Sequence, residues 1–581
     1  MTKVDISNLS TDQREMLNGI IEEMRKPYTD FIERLSVRFA NDLDWNVSSI
    51  VSRDIHLSPL FLNCCYLELI KRLVQEEDGP LHVIVSSSAL ARIAKTFFSA
   101  SKKVVAVSCR RTLRKIAQDI FCPIHSFFTL FLFENVKKQL FYRVCGCRQR
   151  PRRIFDRPVT LLDTFIIEES FKDGRYNDRY YPMLHDFLSD EEKKDFYYLP
   201  QLAVRDYRRI FNEIKSSREQ FLLKEDFLTA ADYFFAAFHP VRKMRFKFLP
   251  GETVFLGLDL APLIREEMYV NLCNPNSMGA VLNYAFVKRL KENAVKVRLV
   301  IDWYENQVLD RGLVMAFRIS YKDLLVIGYQ GFILSPSHYI HTRPTGSDRR
   351  YLIAPQEIAV VGRELVRPVK EFCADLTVVT APAFRFGSVW RKRKAFPDHL
   401  YTTFFTPLPG KIDAGNDILI LLTEVAKMAE FKECRFWLKV HPTHTRQAVL
   451  KHFPGGLGRQ FTFVDGSFES LIEQADLMIG NSSSTCLEAL ARGIPVIIIG
   501  SRLGITNNPI PSRIPQDLWT ICYTPEELAR AIIRFSDRDD AAVSKHNKMG
   551  EQIRADYFEP VTSEATRRFL KLPKEIDETI S

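Results

Sequence analysis

Two short apolar runs end in residues able to hold an anion. The first, Phe436-Trp437-Leu438, delivers Lys439, His441 and Pro442 at its carboxyl end, where open α/β sheets place their ligands. The second, Asp476-Leu477-Met478-Ile479-Gly480, empties into Asn481-Ser482-Ser483-Ser484-Thr485 and then a helix carrying Glu488. Hydroxyl residues at a strand-to-helix turn present backbone N–H groups and side-chain donors at the positive end of the helix dipole, which suits a phosphate. A third strand, Pro495 to Ile499, follows Arg492-Gly493-Ile494, where the glycine is placed to stop the helix. Together these ends read as a cradle for a nucleotide phosphate. Singly they have plainer readings: His441 as a structural histidine, and the turn as an N-cap with Glu488 at capping distance from Thr485.

A second set lies upstream. The strand Lys296 to Ile301 opens into Asp302-Trp303-Tyr304-Glu305-Asn306-Gln307, followed by Asp310-Arg311-Gly312. Carboxylates just past a strand sit at an active-site edge. Transfer from a nucleotide donor needs the leaving phosphate's charge neutralised and a general base at the acceptor hydroxyl. Lys439, His441, the Ser482 to Thr485 turn and the helix dipole meet the first need without a divalent ion, and no convincing pair of aspartates is visible. Neither metal nor cofactor is therefore expected. Glu305 is the first choice of base, with Asp302, Glu168 and Glu169 behind it and Arg311 and Gln330 as further acceptor-side candidates. The plainer role for Glu305 is an ion pair with Arg311.

Lys439-Val440-His441-Pro442 and Ser482-Ser483-Ser484-Thr485-x-x-Glu488-Ala489 resemble the carboxyl-terminal half of GT-B glycosyltransferases, in the style of capsular Kdo transferases, bacterial sialyltransferases and CDP-glycerol phosphotransferases. The resemblance covers about residues 400 to 530. It implies that His441 and the Ser/Thr turn contact a cytidine nucleotide donor, CMP- or CDP-linked. Arg53-Asp54 with Ser58-Pro59-Leu60-Phe61, and Phe171 to Pro182 (FKDGRYNDRYYP), resemble surface carbohydrate biosynthesis proteins of O-antigen loci. The implied activity is sugar transfer from a nucleotide donor to a glycan or lipid-linked glycan of O-antigen, lipopolysaccharide or capsule. A CDP-polyol phosphotransferase, a UDP-sugar 2-epimerase and a non-catalytic scaffold remain alternatives; the serine-rich turn lacks the Gly-Gly associated with the epimerases. In several GT-B polysaccharide families the strand matching Leu324 to Ile327 ends in glutamine and histidine. Here Gln330 is followed by Gly331, with His338 or His341 as substitutes.

The elements that must position these groups alternate strand and helix, which predicts parallel α/β sheets: two Rossmann-like domains facing across a cleft, the GT-B arrangement, with helical insertions in the first. The first domain spans 1–384, a basic connector 385–396, the nucleotide-donor domain 397–545, and helices crossing back 546–581. Strands are expected at Leu81 to Val85, Lys103 to Val107, Val159 to Ile167, Leu352-Ile353, Ile358 to Val361, Leu376 to Val379 and Thr402 to Phe405. The region from Glu191 to Phe238 reads as mostly helical. Ser86-Ser87-Ser88 reads as an N-cap rather than a second phosphate turn. The loop Phe171 to Pro182 fits sugar binding and structural packing equally.

At 581 residues two domains are the natural expectation. Hydrophobic content of 46% and charged content of 26% suit a soluble globular chain. No signal peptide is visible, which predicts a cytoplasmic protein. The eleven cysteines lack a zinc-site spacing. The net charge of +10 is concentrated between Lys137 and Arg157, where eight basic residues face only Asp156. The nearly neutral remainder argues against nucleic-acid binding. With the phenylalanines before it, the segment 120–157 is too short and interrupted to span a bilayer; it reads either as a buried helix with a solvated basic edge or, the favoured reading, as an interfacial helix on an anionic inner membrane face.

Overall fold

The computed structural model describes residues 2–76, 79–98, 104–109, 121–147, 157–333, 335–337, 339–391, 403–481, 483–501, 504–536 and 539–573. Two six-stranded sheets, parallel throughout, form the body of the molecule. The first runs, edge to edge, Thr377–Thr380, Glu357–Val360, Leu325–Gln330, Val297–Trp303, Val159–Ile166 and Phe196–Leu202. The second runs Phe461–Phe463, Arg435–Lys439, Thr403–Pro407, Leu477–Gly480, Val496–Ile499 and Trp519–Cys522. Strands such as Val496–Ile499 are apolar at every position because helices cover both faces of a parallel sheet. Chain order reverses between Val159–Ile166 and Val297–Trp303 in one sheet and between Thr403–Pro407 and Leu477–Gly480 in the other. At such reversals the crossover helices pass to opposite faces and leave a crevice beyond the carboxyl ends of the strands. The two domains face each other across a cleft in the GT-B arrangement.

The first half departs from expectation in three places. A separate three-stranded parallel sheet, Thr2–Asp5, Leu81–Val85 and Val104–Cys109, packs with helices Thr11–Ser36 and Leu60–Glu76 around its own core of Leu17, Phe31, Leu69 and Val83. The stretch expected to be mostly helical contains the edge strand Phe196–Leu202. Its buried aromatic run suits a strand, and Pro200 is tolerated because this is an edge strand, whose outer side carries only the isolated bridge from Tyr198 to Phe221. Leu352-Ile353 is no strand; Leu352 has φ 62° in a turn. The serine cluster after Leu81–Val85 does cap a helix: Ser87 Oγ accepts from the Leu90 N–H at 3.1 Å.

The carboxyl-terminal helices Asp540–Tyr557 and Ser563–Phe569 return to the first sheet. The Glu559 N–H donates to Val361 O and the Ala383 N–H to Glu559 O. Arg567 pairs with Glu192 at 2.8 Å and Lys571 with Glu357 at 2.7 Å, while Phe569 packs on Tyr329 and Phe384.

Inside the first half two guanidiniums share one carboxylate. Asp348 accepts from Arg311 at 2.8 Å and from Arg53 at 3.1 Å, all three side chains being buried. Although burial opposes ionisation, the two guanidiniums hold the Asp348 carboxyl below the usual aspartate range. Replacing Asp348 by Asn leaves two buried charges facing an amide and is expected to cost about 3–5 kcal/mol. The depressed pKa makes the carboxylate's contribution complete above about pH 4 and lost as pH falls through the folded value. Urea unfolding of wild type and Asp348→Asn should therefore differ strongly at pH 7 and converge toward pH 3.

Candidate functional site

A cleft of about 990 Å³ opens between the domains, at the carboxyl ends of both sheets. Its second-domain wall comes from the two strands flanking the reversal and their neighbour. Thr403–Pro407 leads into Leu408-Pro409-Gly410-Lys411 and the helix Ile412–Val425; Arg435–Lys439 leads into Val440, His441 and Pro442; Leu477–Gly480 leads into Asn481, Ser483, Ser484 and Thr485. All these loops line the cleft, as does Glu488 one helical turn on. Every donor-side residue singled out from sequence is brought to this one wall except Ser482, which lies outside the described residues.

Local bonding fixes these groups. Lys439 Nζ donates to Gly466 O. His441 Nδ1 accepts from the Thr443 N–H at 3.3 Å, so a neutral ring carries its proton on Nε2 and is a donor there. Burial, then the neighbouring Arg179 and His444, lowers the His441 pKa and keeps the ring neutral. His444 Nε2 reaches Gly410 O at 2.8 Å and ties two of the loops together. The turn differs from a simple cap. The helix Thr485–Leu490 has only six residues and no side-chain cap from Ser484. Glu488 instead is buried, with the Arg492 guanidinium 3.9 Å away. Burial pushes its carboxyl up to about 7, against the pull of Arg492 and with the help of Glu469.

The first-domain wall is built from residues not among the acceptor-side candidates, although Pro59 and Arg179 lie in the two stretches that resemble O-antigen-locus proteins and Arg385 opens the basic connector. Ile55, His56, Pro59 and Leu62 line the cleft beside Arg179, Tyr339 and Arg385. Within the loop Phe171 to Pro182, Asp178 is buried and accepts from Thr164 and Tyr176 hydroxyls and the Tyr180 and Tyr181 N–H groups at 2.7–3.0 Å. Its neighbour Arg179 is left exposed in the cleft. Arg385 lies over the Trp303 and Tyr180 rings at 5.6 and 5.8 Å, which are themselves edge to face at 4.3 Å. Lys411 Nζ of the second domain meets His56 Nδ1 of the first at 2.6 Å. Burial and the lysine charge both lower the His56 pKa. Arg179, Arg385, Lys411 and Lys439 outnumber Asp413, Asp417 and Glu488 along the lining, and such an excess in a concave site draws an anion.

The predicted acceptor-side residues fall elsewhere. Glu305 is half-buried at the end of Val297–Trp303, accepting from Trp303 Nε1 at 2.9 Å and Gln307 Nε2 at 2.6 Å. It does not line the cleft, but Arg385 and Tyr339, which do, lie in its field; burial raises its pKa while Trp303 and Arg385 oppose the rise. It is no partner of Arg311, which is bound to Asp348, Asn306 Oδ1 and Asn46 O. Asp302 is fully buried with both oxygens unbonded. Desolvation and the nearby Asp310 and Asp163 push its carboxyl far up, so it is a neutral core group rather than a base. Glu168 accepts from the Arg205 and Asp206 N–H groups ahead of the helix Tyr207–Ser216. Glu169 is exposed off the cleft, and Gln330 is buried, donating to Thr342 O at 2.6 Å. A histidine at position 331 is excluded because a Cβ there would lie 2.4 Å from the Trp303 ring. Its two suggested substitutes differ: His341 is buried, with its pKa drawn down to about 4 by desolvation, and His338 lies outside the described residues. No cluster of three or more metal-ligating side chains occurs among the described residues.

Neither a protein-family model nor a curated protein matches the chain. Among solved structures, Staphylococcus aureus MnaA with UDP is similar at 11% identity, over 72% of this chain and 98% of that one, with a TM-score of 0.42. The α,α-trehalose-phosphate synthase (UDP-forming) of Burkholderia vietnamiensis is similar at 8% identity over 71% and 99%, TM-score 0.41. The glycotransferase of kitacinnamycin is similar at 11% identity over 72% and 100%, TM-score 0.40. The strand order of the two sheets carries the fold assignment without them.

Asp302 offers a direct check of its assignment as a core group. Its raised pKa means that the unfolded chain ionises above about pH 4 while the folded chain does not, so stability falls as pH rises. Asp302→Asn removes that loss. The variant's melting temperature relative to wild type should rise from pH 5 to pH 8.

Proposed function

We propose that this chain is a metal-independent GT-B glycosyltransferase that moves a sugar from a nucleotide donor, CMP-linked, to a glycan or lipid-linked glycan acceptor of a bacterial surface polysaccharide. The observation that carries the reading is the convergence of Lys439, His441, the Asn481 to Thr485 turn and Glu488 on one cleft at the reversal of the second sheet. Opposite them stands a wall supplied by the other domain, where an acceptor would enter. The cytidine preference rests on the resemblance of the His-Pro and Ser/Thr motifs.

In this reading the acceptor hydroxyl attacks the anomeric carbon, the bond from that carbon to the donor phosphate breaks, and the phosphate leaves with the electron pair. His441 Nε2–H, Lys439 and Lys411 meet the growing charge. The proton passes to the first-domain wall, and His56 is the base best placed to take it. Its Nδ1 is engaged by Lys411 at 2.6 Å, and a donor phosphate would draw Lys411 away from it. Glu305, one layer back, sets the charge around Arg385 and is the second candidate.

Titration calorimetry with CMP, CDP, UDP and GDP is the primary test. Cytidine nucleotides should bind, and His441→Ala and Ser483→Ala should each weaken binding in a folded protein. A general base contributes about 10²- to 10⁴-fold. His56→Ala should therefore cut turnover by about that factor with donor affinity nearly kept, whereas Glu305→Gln should act chiefly on donor affinity; the opposite pattern makes Glu305 the base. A shift to uridine or guanosine nucleotides would replace the donor class, and loss of all nucleotide binding would leave a scaffold. Product analysis separates sugar transfer from polyol phosphate transfer and from epimerisation.

The second part of the proposal is a peripheral seat on the inner face of the cytoplasmic membrane. No helix among the described residues is long and apolar enough to cross a bilayer. The helical segment 121–144 nevertheless exposes Phe121, Ile124, Phe128, Phe133, Val136, Leu140 and Val144, a surface suited to lying in an interface. Arg148, Arg150, Arg152 and Arg153, the heart of the basic run, lie outside the described residues. Wild type should pellet with anionic vesicles and be released by high salt, since surface charge is screened over about 8–10 Å. Replacing those four arginines by Ser should abolish pelleting; equal pelleting would refute the seat.

A further inference from the structure

Most of the large apolar side chains left exposed among the described residues fall in two stretches, 121–144 and 234–269. The two are joined in space: Gln139 Nε2 donates to Tyr233 Oη at 2.6 Å, and Phe131 packs with Ala236. From there the apolar surface continues over Phe234, Phe238, Val241 and Met244 to the mouth of a second groove of about 800 Å³. That volume is within the range of about 300–1,000 Å³ usual for small-molecule sites.

The groove lies between the segment 243–251, the hairpin Val254–Phe255 and Leu258–Asp259, and the helix Ala261–Val270. Phe246, Phe248, Met268 and Leu272 give it apolar walls, and three cations face it: Lys243, Lys247 and Arg265. Its one acid is already engaged, since Asp259 accepts from Thr253 Oγ1 at 2.6 Å and from the Ala261 N–H at 3.0 Å. Lys243 is buried with Nζ donating to Asn271 O at 2.8 Å, and Arg265 stands in the field of Asp259, so that against this single acid the lining still carries an excess of two cations. An apolar slot with a cationic excess, opening onto an apolar face, is complementary to a molecule with an alkyl chain and an anionic head.

We propose that this groove binds a single phosphorylated membrane amphiphile, its alkyl chain along Phe246, Phe248 and Met268 and its phosphoryl head against Lys247 and Arg265. The assignment rests on the reading of the adjoining face as lipid-facing, and it adds a ligand site separate from the interdomain cleft. Such a site would hold the protein by one specific lipid where the basic segment holds it by charge alone.

Decyl phosphate below its micelle concentration is the probe, with decanol and inorganic phosphate as controls, on the full chain by titration calorimetry. Decyl phosphate should bind saturably and at least tenfold more tightly than either control. Lys247→Ser and Arg265→Ser should each weaken it about tenfold, the loss expected for one charge-assisted contact. Met268→Glu should abolish binding while nucleotide affinity, read on the same preparation, stays at the wild-type level. Absence of saturable binding, equal binding of decanol, equal binding of inorganic phosphate, or indifference to all three substitutions would each overturn the proposal. Vesicle pelleting of the four-arginine variant is an independent arm: lost pelleting with intact decyl phosphate binding separates the groove from the basic segment, and intact pelleting refutes the membrane seat on which the assignment of the groove rests.

Discussion

A single carboxylate, Asp348, holds two buried guanidiniums, and the part of the first-domain wall that follows Arg53 hangs from it. Arg53 stands at the head of Asp54, Ile55 and His56. Arg311 also bonds Asn306, the residue after Glu305, whose Nδ2 donates to His341 O at 2.7 Å. Three segments distant in sequence, 53–59, 304–311 and 341–348, are thus referred to one ion cluster. A hydrophobic cluster of the same volume could be at least as stable. What the charges add is direction, since each guanidinium bond fixes an angle as well as a distance. A wall that must present a histidine ring and an aromatic-backed arginine to a ligand needs that angular definition.

The cleft itself is made by the opposite arrangement. Among the described residues Arg179, Arg385, Lys411 and Lys439 have no carboxylate within ion-pair distance, and Lys411 turns its charge on a neutral imidazole across the gap. Burial lowers the pKa of Arg385 and of Lys411, and the carboxylates in their field, Glu488 and Glu305 for the one and Asp54 and Asp413 for the other, offset it only in part. The protein balances charge where it needs rigidity and leaves charge unbalanced where it is to receive a ligand.

Much of the second domain was readable because its strands are short apolar runs with distinctive ends. Covered on both faces, Leu477–Gly480 and Val496–Ile499 have no alternation to confuse with a helix, and the polar residues that follow them could only be loop. The first domain was harder for specific reasons. Phe196–Leu202 carries aromatics at a spacing equally good for a helix, and only its pairing with Val159–Ile166 decides the matter. Asp302 looked accessible because it closes a strand, but at the centre of a sheet it points into the core beside Asp163. His56, Arg179 and Arg385 come from three separate segments, and no local spacing signals that they meet. The Pro409-Gly410-Lys411 turn directly after a strand was the one missed feature with a usable local signature. Glu488 is instructive in another way: its distance from Thr485 fits a cap, yet the helix start is bonded without it and the carboxyl is free for the cleft.

The return of the last helices has a consequence for how the chain is made. Leu570 and Lys571 offer their carbonyls to Arg298, and Lys571 also reaches Glu357. Glu559 inserts its backbone between Val361 and Ala383. These contacts join residues about 175 to 275 positions apart, the kind of closure that slows folding. During synthesis, at about 5–20 residues per second, the first sheet must wait for the whole second domain to emerge before its edge is finished. Until then the apolar strip around Tyr329 and Phe384 is uncovered, so the nascent chain carries a sticky surface for about 10 to 40 s, and assembly of the first domain is timed by completion of the last.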